Sequence, residues 1–206
     1  MTEAEWLTAT DSKPMLEFLR GSASDRKLRL FALACFALTP AGWVTTADWD
    51  LFDSFVRYLD KELSADDWLD IFSAAHGRGI RNELFSVFGP DPMHAAETAL
   101  WHGGYQTGAG HNEHKHRLAR ILQVRPLRAI FGNPFRPVAF DPRWRTADAV
   151  GLARGIYDER AFDRLPLLAD ALMDTGCADE QMLEHCRSEG PHVRGCWVVD
   201  LVLGKE

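Results

Sequence analysis

The chain has 206 residues, of which 46% are hydrophobic and 26% charged, and its net charge is −7. That length suits one domain, or two small ones sharing a core, and the acid excess argues against a general binder of nucleic acid or anionic membranes. The charge is uneven: residues 111–145 carry a net +6, which leaves −13 for the rest, and such a belt either packs against the acidic remainder or meets an anion.

The predicted elements are helical from the start. Thr2 with Glu5 forms a capping-box pattern ahead of Trp6 and Leu7. Asp11 caps a turn that buries Met15, Phe18 and Leu19 and closes at Gly21. Ser24 or Asp25 opens a helix whose Leu28, Phe31, Ala32, Cys35 and Leu38 recur at three- and four-residue spacing, the period of one buried helical face, and Pro40 stops it. That apolar run contains Arg29 and is too short to cross a bilayer. Thr46 caps a helix through Leu63, and Ser64 with Asp67 starts another that Gly77 ends. Ile80–Phe88 reads as a short helix. Asp91-Pro92, an N-cap followed by proline at the first helical position, opens a helix to His102.

Residues 103–111 form a glycine-rich loop, and Asn112 caps a helix to about Gln123. The loop follows no strand and lacks a Lys-Ser/Thr pair, so it does not fit a phosphate loop. Pro126 starts a one-turn helix ending at Gly132, and the proline-rich segment 133–145 is extended. Thr146 begins a helix through Tyr157, and Asp163 caps one to Thr175 with Gly176 as its stop. Cys177 or Ala178 to Arg187 forms the next helix. Residues 192–203 are ambiguous, because Val198, Val199 and Val202 suit a strand, but Cys196, Val199 and Leu203 share a helical face and no partner strand is evident. The expected fold is all-α, with roughly nine or ten helices in antiparallel pairs, as a bundle or, alternatively, a HEAT-like stack.

Three blocks carry a resemblance. They are Met1-Thr2-Glu3-Ala4-Glu5-Trp6-Leu7 with Met15-Leu16-Glu17-Phe18-Leu19-Arg20-Gly21 and Ser24 to Ala32, then Phe131-Gly132-Asn133-Pro134-Phe135-Arg136-Pro137, then the tail from Gly190 to Lys205. Together these resemble a paralogue-rich family of uncharacterised bacterial proteins. The family has no assigned activity, so the resemblance brings no catalytic residues. It implies a mostly helical bacterial protein, one helical domain over 1–206, with a framework at 1–38 and 127–205 holding a variable middle at 40–126.

Three groups of side chains have chemistry worth weighing. The first is His102, His111, His114 and His116, which with Glu97 or Glu113 suits zinc or another borderline metal, although three of these histidines cannot converge from one straight helix and the His-Glu-x-x-His order of a zinc hydrolase is missing. The second is His185, Cys186, His192 and Cys196, two thiols and two imidazoles able to close a structural zinc site between the last two helices. The bland alternative is that the cysteines are small buried hydrophobes. A cysteine nucleophile with His192 as base lacks any group to orient that base. The third is the arginine-aromatic stretch with Arg136, Arg143 and Arg145, either an anion site or a brace in which Arg136 pairs with Asp158 or Glu159.

The four cysteines, Cys35, Cys177, Cys186 and Cys196, are too sparse for a disulfide scaffold, and the N-terminus lacks the basic and apolar regions of a secretory signal. The expectation is therefore a cytoplasmic protein with reduced thiols. Its expected role is a non-enzymatic protein-protein interaction or regulatory module without a cofactor, in which the acidic helix at 47–63 and Trp43, Trp49, Trp68 and Trp101 contact an unknown protein partner, with no membrane and no nucleic acid. The alternative is a metal-binding protein, of which a zinc-dependent hydrolase is one form, using the His102–His116 group.

Overall fold

A computed structural model describes residues 1–38, 44–76, 87–106 and 113–205, with side-chain positions outside 101–106 and 113–119. The described residues contain α-helices and two 3-10 turns, and no strand. The helices are α1 (Glu3–Thr8), α2 (Ser12–Leu19), α3 (Asp25–Ala37), α4 (Thr46–Leu59), α5 (Ala65–His76), α6 (Pro92–Gln106), α7 (Glu113–Phe131), α8 (Ala147–Glu159), α9 (Leu165–Asp174), α10 (Glu180–Arg187) and α11 (Trp197–Leu203). Their contacts divide the chain into two compact units. The first holds Ala9–Val124 with Met1, and the second holds Thr2–Thr8 with Arg125–Glu206.

Helix starts follow side-chain oxygens that satisfy the free backbone N–H groups of the first turn. Thr2 and Glu5 exchange hydrogen bonds, with the Thr2 N–H donating to the Glu5 carboxylate at 2.7 Å and the Glu5 N–H donating to Thr2 Oγ1 at 3.3 Å. Asp11, Ser24 and Thr146 accept from Lys13, Lys27 and Ala149. Ser64 accepts from Asp67, and Asp91 from Met93 and His94. The α4 cap is Thr45, one residue before the expected Thr46, because Asp48 closes the capping box with it. That helix also stops at Leu59 rather than Leu63, where Lys61 takes a φ of 61°.

Two expected breaks are absent. α6 continues through Gly103 and Gly104 to Gln106, and α7 runs through Pro126 without ending. Glycine in a helix costs only about 1 kcal/mol and proline about 3 kcal/mol, which packing can offset. Asp163 sits in the 3-10 turn Phe162–Arg164, and α9 starts after it at Leu165 with Pro166 in its first turn. The tail is helical from Trp197, with Val198, Val199 and Val202 buried. The expected helix at 80–88 falls mostly outside the described residues, as do the Asn112 cap and residues 107–111 of the glycine-rich stretch.

In the first unit α3 packs on α6, and α4 pairs with α5. α3 is buried nearly all round, from Leu28 to Phe36, which marks it as the central helix. Phe55, Tyr58, Trp68, Phe72 and Phe88 form one aromatic cluster, with Phe55 4.8 Å from both Trp68 and Phe88. Arg26 Nε donates to Asp60 at 2.7 Å, and both side chains are almost fully buried. In the second unit α8 packs on α9 and α11, and α9 on α10. Two arginines close helix ends there. Arg194 donates to the carbonyls of Tyr157 and Asp158 at the end of α8, and Arg145 to those of Leu201 and Val202 at the end of α11. Cations at helix C-termini meet the negative end of the dipole as well as its free carbonyls.

Candidate metal centre

The end of α10, the loop after it and the N-cap of α11 bring three donor side chains together. His185, His192 and Cys196 each present a ligand atom, and these atoms lie within 4.8 Å of one another. His185 Nε2 is 3.1 Å from Cys196 Sγ, and the two imidazole rings meet edge to face at 4.8 Å. Cys196 is fully buried and is the N-cap residue of α11, where its thiol makes no cap hydrogen bond.

Each donor is positioned by its own local sequence. His185 lies in the last turn of α10, and its ring packs on Trp197 at 5.3 Å. Trp197 in turn rests on Gly132, whose φ of +62° and lack of a side chain let the indole lie 3.2 Å from where a Cβ would stand. The loop reverses at Gly190, with φ +71°, where a Cβ would fall 2.8 Å from the His192 nitrogen. Glycine alone fits that reversal. Arg125 donates to the Gly190 carbonyl and ties the loop to α7.

His192 has an unequal pair of nitrogens. Its Nε2 sits 3.0 Å from the Ser188 carbonyl, which only accepts, so Nε2 carries the proton. Nδ1 is then left with a free lone pair, and it is buried without a hydrogen-bond partner. Ser188 is itself fixed, its hydroxyl donating to the His185 carbonyl at 2.8 Å. A carbonyl that holds the outer N–H of a histidine is the usual support of a metal-ligating imidazole.

Burial keeps the two imidazoles in the neutral form a metal needs. It pushes His185 down to about 3, with a smaller push from the neighbouring His192. Burial also lowers His192, against the opposing effect of its bond to Ser188. Both imidazoles are neutral near pH 7. Cys186 is a different case: burial, then the nearby Cys196 and Cys177, hold its thiol well above the ordinary range. One residue after His185, it is turned about 100° around α10, it is fully buried, and it is not part of the converging group.

Zinc bound at its ordinary distances to nitrogen and sulfur spaces those ligand atoms about 3.3–3.6 Å apart. The donors, now up to 4.8 Å apart, therefore need to close by up to about 1.5 Å to surround such an ion. The set of two imidazoles and one thiol suits a borderline or soft cation and disfavours magnesium or calcium, which take oxygen.

The other candidate residues are placed differently. His102 lies on α6, and His114 and His116 on α7, within the segments whose side chains are not described; His111 falls outside the described residues. The three arginines are already engaged. Arg136 pairs with Glu3 at 2.6 Å, not with Asp158 or Glu159, because the extended segment after α7 runs beside α1. Arg143 pairs with Asp141, and Arg145 caps α11 while lying 5.1 Å over the Phe140 ring. Of the tryptophans, Trp68 is 7% exposed inside the aromatic cluster and is core, and Trp49 is half-buried against Phe52. Trp43 and the Trp101 side chain lie outside what is described.

Sequence reasoning did not single out Ser188, Gly190 or Trp197 as parts of this group. The Ser188–His192 spacing of four and the Gly190-Pro191 pair were the available signals. No protein-family model, curated protein or solved structure gives a significant match to the chain.

Proposed function

We propose that this chain is a metal-binding protein in which His185 Nε2, His192 Nδ1 and Cys196 Sγ hold one zinc-class ion. The observation that carries the reading is the convergence of donor atoms from His185, His192 and Cys196 within 4.8 Å, in a group where His192 also holds a buried, unpartnered Nδ1. Leaving such an acceptor unsatisfied costs about 1–3 kcal/mol, and an ion at that place removes the cost. The ion ties the end of α10 to the start of α11 and contributes folding energy to the second unit. In this reading the ion braces that junction within a non-enzymatic module.

The test is metal analysis of protein purified without a histidine tag, followed by zinc titration of the metal-free form. One equivalent is expected, and it should be lost in His192→Ala and in Cys196→Ser while the helical circular-dichroism signal persists. A wild-type chain that takes up no zinc refutes the reading.

A second reading concerns the first unit, as a surface for a basic protein segment. It is supported by α5, which exposes Asp66, Asp67 and Asp70 around Leu69, itself 55% exposed. Binding of a lysine-rich amphipathic peptide that weakens with salt and with Leu69→Ser is expected. No binding at low salt refutes it.

A further inference from the structure

Resting on the zinc-class reading above, we infer that the ion's fourth coordination place is open and takes a small monoanion from outside the chain, a thiolate or an azide-like ligand. Among the described residues the converging group has three donors and no fourth. Zinc is almost always four-coordinate, and three protein ligands with one external ligand is the arrangement of an open site. Cys186 is the natural fourth candidate from its sequence position, yet one residue on from His185 it is turned about 100° around α10 and is not part of the converging group.

Charge decides the class of ligand. A divalent ion with one thiolate and two neutral imidazoles carries a net charge of +1 in a site whose thiol is fully buried. Burying an uncompensated charge is costly, and one monoanion brings the centre to neutrality. Burial limits the ligand's size. Cys196 is closed to solvent, and His185 and His192 are only partly exposed, so an incoming ligand is a few atoms across.

The experiment loads the full chain with cobalt(II), whose visible bands report coordination, and adds azide or 2-mercaptoethanol. A saturable one-to-one change in the visible bands is expected, and the thiol should add a sulfur-to-cobalt charge-transfer band. Cys186→Ser should load with cobalt and respond to both ligands as the wild type does. Cobalt bands that ignore both ligands, or a charge-transfer band that shrinks in Cys186→Ser, would show a closed site and overturn the inference while leaving metal binding intact. Absence of any cobalt spectrum in the wild type removes the underlying reading and this inference with it.

Discussion

Lowering the pH from 7.5 to 5 tests the protonation states on which the candidate centre depends. His185 titrates at 6.5 in the unfolded chain and at about 3 in the folded one. Its folded value is depressed, so the stability it supports is full above 6.5 and is lost as the pH falls toward 3. One pH unit within that window is worth at most about 1.4 kcal/mol. Integrated to pH 5, the metal-free protein loses about 2 kcal/mol through His185 alone. His192 is depressed as well and adds a loss of the same sign. For a chain of this size the His185 share lowers Tm by about 4–8 °C. The assay is thermal unfolding of metal-free protein at the two pH values, followed by tryptophan fluorescence, for wild type and His185→Gln. The variant has nothing to protonate at that position and should lose about 2 kcal/mol less. Equal losses in the two proteins would refute a buried neutral His185. Zinc at a hundred times its dissociation constant should add about 2.7 kcal/mol at pH 7.5, and less at pH 5, where protons compete for the same nitrogens.

Three further outcomes follow from contacts elsewhere. Asp60→Asn leaves the buried Arg26 guanidinium without its carboxylate and should cost about 3–5 kcal/mol by denaturant titration, while Arg26→Met with Asp60→Leu recovers most of it. Trp6→Ala empties a fully buried site and removes the indole bond to the Gly132 carbonyl, so a loss of about 3–5 kcal/mol is expected in the same assay. Gly190→Ala forces a Cβ against the His192 backbone at a φ of +71°; zinc affinity should fall with the helical circular-dichroism signal retained, and unchanged affinity would show that the loop does not position His192.

The helix starts were legible because each depends on residues two or three apart. Thr2 with Glu5, and Ser64 with Asp67, satisfy first-turn N–H groups whatever the rest of the chain does. The stops were less legible, because a breaker acts only if its surroundings let it. Gly103-Gly104 and Pro126 stand inside helices, where their local cost is a few kcal/mol at most. The pairing of Arg136 with Glu3 joins positions far apart in the chain, and no local pattern encodes it. The candidate centre lies between these cases. Its three donors span only His185 to Cys196, so their nearness is close to local, and composition drew attention to them. Choosing among four candidates needed the direction of each side chain. His185 and Cys186 are neighbours in sequence, yet a helix turns successive residues about 100° apart, so His185 reaches Cys196 while Cys186 stays outside the converging group. The free lone pair on His192 is equally invisible in the sequence, since it exists only because the loop at Gly190 returns the ring to the Ser188 carbonyl. A cluster of donor residue types is therefore a weak signal until the backbone shows which atoms share a space and which lone pairs are already used.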